Sequence, residues 1–401
     1  MRWNRKLIKE QFMWKVCVVT STRADYGILS GLLKKLDADR DIELKVVVTG
    51  MHLMPEFGET YKEIENDGFK IDEKIDISEK GDSAVAASKV AANATAKFAE
   101  YFDKKRPDVL VILGDRTEML GVATAALIMN IPIAHIHGGE LTFGAVDDAV
   151  RHSLTKMSRI HFTACEEYRN RVIQMGESPE TVFDVGAMGV ENALAMEKFD
   201  SAEVLKRLNI NNDKPYVMVT FHPETQSILG AMLQVQPLLK TMKAHPEYNY
   251  VITKANADAG GLSINELWEK ECAKEENWNL FASLGAKLYL SAVRDAEFVI
   301  GNSSSAILEV PSFKIPSVDI GDRQKGRITA GSVIHAENNE EAVGRAFDEA
   351  VKARKEGRFA DMRSPFGDGD TSVRIHDILK DALKANRLKG KKEFFDINWE
   401  K

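Results

Sequence analysis

A chain of 401 residues is long for one domain, and 44% hydrophobic with 29% charged residues is an ordinary globular balance. The net charge of −7 argues against a nucleic-acid binder, although it leaves room for a local basic site. Three cysteines, Cys17, Cys165 and Cys272, are odd in number and far apart, which excludes a disulfide framework and points to a reducing cytosol. No apolar run reaches the roughly 18 residues that would cross a bilayer, so no membrane contact is expected.

Residues 1–13 are basic and weakly apolar, without the apolar core of a signal peptide, and read as an extension ahead of the fold. Residues 15–20 (KVCVVT) form a buried strand. The turn after it holds Arg23, with Thr22 or Asp25 as helix cap. Arg23 there either faces an anion at the helix N-terminus or is simply solvated. A strand over 42–49, a helix over 57–66, a strand over 69–75 and an alanine-rich helix over 82–104 follow.

Residues 108–148 are the most informative stretch. Two apolar strands, 109–113 and 131–136, flank a helix over 117–129, which makes a strand–helix–strand unit of a parallel sheet. Each strand ends in glycine and charge: Gly114-Asp115-Arg116, then His137-Gly138-Gly139-Glu140. Ligands of open parallel sheets sit beyond the carboxyl ends of the strands, so these groups form a plausible acid/base set. The competing reading of Asp115 is a cap for the helix that follows. Asp147-Asp148 opens a further helix, where acidic residues also complement the dipole. His135 and His137 are two apart on a strand and would share a face, but no third ligand stands at a suitable spacing and no metal is expected.

Strand 161–164, helix 166–175 and strand 181–185 complete the first half, and Gly186-Ala187-Met188-Gly189 breaks the pattern at the expected boundary. The second half repeats the architecture with different sequence. Strand 216–221 delivers His222, followed by a helix over 226–244, a strand over 250–253, a helix through Cys272, and a turn into a short helix over 281–289. Strand 297–300 then feeds Gly301-Asn302-Ser303-Ser304-Ser305. Three serines opening a helix suit a phosphate, or serve only as caps. Glu309 lies nearly two turns further on, where a carboxylate can take a ribose diol. Strand 315–320 ends in the basic loop Gly321-Asp322-Arg323-Gln324-Lys325-Gly326-Arg327. Neither a Gly-x-Gly-x-x-Gly after the first strand nor a Walker lysine motif is present, so no dinucleotide or P-loop site is expected.

The runs TSTRADYG, GDRTE, HIHGGE, DDAVRH, TFHPET, GNSSSAILE and GDRQKGR, in this order across 20–327, resemble the UDP-N-acetylglucosamine 2-epimerase family. They are most similar to its hydrolysing branch, which serves sialic- and legionaminic-acid-type biosynthesis. The resemblance implies an α/β protein of two Rossmann-like domains facing a cleft, the glycosyltransferase-B type. Domains would run over 14–188 and 189–370, with 371–401 packing back on the first. It further implies Asp115, Glu140 and Asp147 as catalytic carboxylates. Arg23, Arg116, His222, Ser303, Ser304 and Arg323 would stand around the UDP diphosphate, and Glu309 on the ribose. Where family members often carry serine, this chain has Gly27, which leaves a backbone N–H for that contact.

The implied reaction eliminates UDP to a 2-acetamidoglucal and hydrates it with inversion at C2, without cofactor or metal. The partner is the nucleotide sugar, with no nucleic acid and no membrane, and a homo-oligomer, dimer or tetramer, is expected. A non-hydrolysing epimerase, a transferase on the same fold and a non-catalytic binding module are the competing functions.

Overall fold

Strands buried on both faces are written as near-continuous apolar runs, and this chain has two sets of them. The computed structural model describes residues 13–55, 58–80, 84–141, 146–224, 230–255 and 261–397. Residues 1–12 of the expected extension over 1–13, the expected helix beginnings at 57, 82 and 226, and Thr225 lie outside these. The chain divides into two compact units, Met1–Met188 with Asp370–Lys401, and Gly189–Gly369.

In the first unit, β1 (Trp14–Thr20), β2 (Ile42–Thr49), β3 (Ile71–Ile75), β4 (Val109–Leu113), β5 (Ile133–Ile136), β6 (Ile160–Thr163) and β7 (Val182–Asp184) form one parallel sheet in the order β3-β2-β1-β4-β5-β6-β7. Alternate residues face opposite layers. Val16, Val18, Val109 and Val111 pack with Leu29, Leu33 and Leu379, whereas Cys17, Val19, Leu110 and Ile112 pack with Phe98, Phe102 and Met119. The helix Thr371–Lys384 is part of this unit: Asp39 takes ion pairs from His376 at 2.8 Å and Lys380 at 2.6 Å.

In the second unit, β8 (Tyr216–Thr220), β9 (Asn249–Thr253), β10 (Trp278–Phe281), β11 (Val299–Gly301), β12 (Ser317–Ile320) and β13 (Val333–Ala336) run parallel in the order β10-β9-β8-β11-β12-β13. The α/β architecture with two parallel sheets is therefore as expected. The order reverses between β1 and β4 and between β8 and β11, and such switch points open a crevice at the carboxyl ends of the strands.

Several elements differ from expectation. The helix expected over 226–244 is, in its described part, two helices, Ala231–Gln234 and Gln236–Ala244. Pro237 sits in the first turn of the second, where its missing N–H costs nothing. Residues 278–281 form an edge strand not expected from the sequence, and it takes in Phe281, expected to begin a turn; Trp278 and Leu280 lie in register with Tyr250 and Ile252 of β9. The helix after it runs Gly285–Asp295. No helix among the described residues is long and apolar enough to cross a membrane.

Candidate active site

The first unit gathers its chemistry on the turns after β4 and β5. His135 is fully buried within β5, and burial pulls its imidazole down to about 3, so the ring is neutral. Its Nε2–H donates to the Gly114 carbonyl at 2.8 Å, and Thr155 Oγ lies 3.3 Å from Nδ1. One ring nitrogen thus holds the turn that presents Asp115, and the other meets the helix Val146–Met157. His137 lies beyond the end of β5 with φ of +65°, which breaks the strand alternation on which a shared histidine face depended. The two histidines are therefore not a metal pair, and no cluster of metal-binding side chains stands among the described residues.

Asp115 caps nothing, since the following helix Thr117–Ile128 has Arg116 at its N-cap and no side-chain cap bond. Its carboxylate instead pairs with Nη2 of Arg151, from the helix Val146–Met157. Arg151 is only 7% exposed, and its Nη1 stands 3.9 Å from Glu140 Oε2. Glu140 Oε1 in turn lies 2.9 Å from His137 Nδ1. Burial pushes the Asp115 carboxyl up, Arg151 pulls it back, and neighbouring Asp147 and Glu140 push it up again. One buried cation thus holds together carboxylates that would otherwise repel.

Arg116 turns toward Glu118, at 2.6 Å, and lies within the field of Asp25. Asp25 accepts from Ser21 Oγ at 2.9 Å, while Thr22 is the helix cap, accepting from the Asp25 N–H at 3.2 Å. Arg23 is a different case. Its side chain is 73% exposed and pairs with Glu63 at 3.1 Å, an exposed ion pair of little energetic weight.

The second unit builds its site around Asn302, which is completely buried. Gly301 precedes it at φ of +145°, where an added Cβ would lie 1.9 Å from the Thr220 carbonyl oxygen, so no other residue fits there. Asn302 Oδ1 accepts from the His222 N–H at 2.7 Å and its Nδ2 donates to the His222 carbonyl at 2.8 Å. Its own carbonyl accepts from Gln324 Nε2 at 2.8 Å and Arg323 Nη1 at 3.2 Å. The loops after β8, β11 and β12 are thereby locked together, and they carry His222, Ser303, Ser304 and Arg323.

The helix that the serines open, Ser305–Leu308, has four residues and no side-chain cap bond. Little dipole accumulates over one turn, so anion binding here would rest on hydroxyls and free N–H groups. Glu309 ends that helix instead of lying along it. Burial pushes its carboxyl up, with a hydrogen bond from Ser305 pulling back, and its Oε2 is buried without a hydrogen-bond partner among the described residues. Tyr289 donates to Ser305 Oγ at 3.0 Å, fixing the serine that faces Glu309.

A family model for UDP-N-acetylglucosamine 2-epimerase matches residues 34–380. The chain belongs to that family. A relative from Campylobacter jejuni, "GDP/UDP-N,N'-diacetylbacillosamine 2-epimerase (hydrolyzing)", is 41% identical over 335 residues, 83% of this chain and 86% of its own length. The Escherichia coli polysialic acid biosynthesis protein P7 is 36% identical over 387 residues, 96% and 98% of the two chains. A solved UDP-GlcNAc 2-epimerase from Neisseria meningitidis, bound to UDP-GlcNAc, superposes with a TM-score of 0.73 over 92% of this chain and all of that one. At 18% identity that likeness speaks to the fold alone.

In this epimerase-family chain, sequence reasoning missed Arg151, Asn302 and Gln324 as parts of the site. Each stands inside a quoted motif, but none has a local spacing that reveals its partners. Arg151 is ordinary on a helix until two strand ends bring carboxylates to it. Asn302 was legible only as a turn residue after a strand.

Proposed function

We propose that the chain is a hydrolysing 2-epimerase that converts a UDP-linked 2-acetamido sugar into UDP and the free C2-epimerised sugar. The observation that carries the reading is the family membership joined to a carboxylate set, Asp115 and Glu140 at buried Arg151 with Asp147 in the field of Asp115. The second unit's His222, Ser303, Ser304 and Arg323 would hold the diphosphate, and Glu309 would accept the ribose hydroxyls.

The C2 hydrogen is not beside a carbonyl carbon, so its acidity is low. Elimination must therefore draw on departure of the diphosphate, with positive charge developing at C1. Donors fixed around the leaving group stabilise that charge separation, and carboxylates near the sugar stabilise the developing cation. The C2–H electron pair closes the C1=C2 bond as the C1–O bond to UDP breaks. Water oxygen then adds to C1, and a proton is delivered to the opposite face of C2.

The name of the 41%-identical relative favours a 2,4-diacetamido sugar over UDP-N-acetylglucosamine. The protein is incubated with a panel containing both nucleotide sugars in deuterated water, and the freshly released sugar is examined by NMR. The reaction is then repeated in heavy-oxygen water and the UDP weighed. Deuterium at C2 with unlabelled UDP is expected. Protium at C2, or heavy oxygen in UDP, overturns the elimination.

A further inference from the structure

We infer that His137 is the proton-transfer group that takes the C2 hydrogen, with Glu140 as the carboxylate that orients it. This deepens the epimerase reading above and rests on it.

Three observations on the turn after β5 carry the assignment. His137 Nδ1 lies 2.9 Å from Glu140 Oε1, a distance at which an ionised carboxylate accepts the Nδ1 proton. That bond fixes the tautomer, leaving a lone pair on Nε2. Nε2 itself is buried and has no hydrogen-bond partner among the described residues. A buried imidazole nitrogen without a partner is costly unless something completes it, and a base poised for an incoming proton is one such reason. The backbone supports the same reading. A histidine with φ of +65° sits in a sparsely populated region, and such outliers gather where a side chain must be aimed.

The geometry also argues against Glu140 as the base itself. Its Oε1 is occupied by His137 and its Oε2 faces Arg151 at 3.9 Å, so both oxygens look onto donors. Carboxylate, imidazole and free nitrogen follow the order in which an acid residue orients a histidine base. During elimination the C2–H bond breaks, its electron pair forms the C1=C2 bond, the C1–O pair leaves with UDP, and the proton passes to Nε2. The resulting imidazolium stands against ionised Glu140. Inversion requires that the returning proton reach C2 from the other face, and the Asp115–Asp147 pair supplies it.

The test uses His137→Asn. Asparagine tolerates positive φ, and its side-chain amide can still donate to Glu140, but nothing replaces Nε2. Turnover should fall about 10²–10⁴-fold with KM for the nucleotide sugar little changed. The deuterium isotope effect from C2-labelled substrate should exceed that of the wild type. Hydration of separately supplied 2-acetamidoglucal should stay near the wild-type rate. Glu140→Gln should show the same division, lower kcat with preserved KM and preserved glycal hydration.

His137→Gly, which accepts the backbone angle without strain, should regain turnover in added imidazole. A His137→Asn protein with wild-type turnover overturns the assignment, as does equal slowing of elimination and glycal hydration. If His137→Asn does not fold, failure of imidazole to restore His137→Gly decides against it. A wild-type protein that releases no UDP from any sugar in the panel overturns the epimerase reading and this inference together.

Discussion

Under the proposed function, single side chains in the second unit would tell apart the nucleotide's two recognisable parts, diphosphate and ribose. His222 and Arg323 both lead back to Asn302, one through backbone bonds and one through its guanidinium, and the proposed function gives both to the diphosphate. His222→Ala and Arg323→Ala are each expected to weaken UDP binding by about 1.5–3 kcal/mol, the value of a charge-assisted donor. Calorimetry with unchanged affinity in both variants would remove the diphosphate from these loops. Glu309 predicts a different pattern, because its Oε2, without a hydrogen-bond partner among the described residues, is an acceptor suited to hydroxyls and not to phosphate. Glu309→Gln should lose affinity for UDP while binding of pyrophosphate is kept; equal loss of both would make it a support for Ser305. At this scale the sequence was informative about acids and bases that follow strands, such as Asp115 and His222. It was silent about residues whose meaning is a distant partner, such as Arg151.

Among whole elements, strands of the β1 and β4 kind were legible because burial on both faces demands unbroken apolar runs. Trp278–Phe281 was not, since four residues with Asn279 among them carry no periodicity and become a strand only beside β9. Least legible is the C-terminal segment after the helix Thr371–Lys384, which has no regular structure among its described residues. Lys392 reaches the Lys156 and Ser158 carbonyls at 2.8 and 2.7 Å and pairs with Glu177 at 2.7 Å. The Phe395 N–H donates to the Gly176 carbonyl at 2.9 Å, and the Phe394 ring lies where a Gly176 Cβ would fall, 2.2 Å from it. Glu177, 1% exposed, also binds Lys156 at 2.6 Å and His161 at 3.0 Å. Despite burial, these partners hold its carboxyl down at about 2. Glu177→Ala should leave buried donors and cations facing one another and cost about 3–5 kcal/mol. Denaturant unfolding reads that loss, and a cost below 1 kcal/mol would mean that the segment is not anchored through this carboxylate.

At the scale of the molecule, the two units carry separate cores, so each is expected to unfold with its own transition. Their responses to acid should differ. In the first unit, burial holds His52 down to about 4 and His135 to about 3, and also lowers His161 and His152. An unfolded histidine takes up its proton near pH 6.5. Below that pH the unfolded chain therefore binds protons that the folded unit refuses, and stability must fall as pH falls. Raised carboxyls at Asp25, Asp115 and Asp184 work in the opposite direction, since each takes up its proton in the folded unit while its unfolded counterpart is still ionised.

In the second unit, burial lifts Asp319 to about 6 even though His335 lies 3.3 Å from it. A folded carboxyl that protonates before its unfolded counterpart contributes stability that is present at low pH and lost as pH rises through about 6. Calorimetric scans at pH 7 and pH 5.5 should then show the first unit's transition moving down while the second holds or rises. His52→Gln, which replaces a titrating ring flanked by Thr20 and Thr60 with a neutral amide, should shrink the first unit's shift. If both transitions move down together, and His52→Gln changes neither, buried histidines do not govern the acid response.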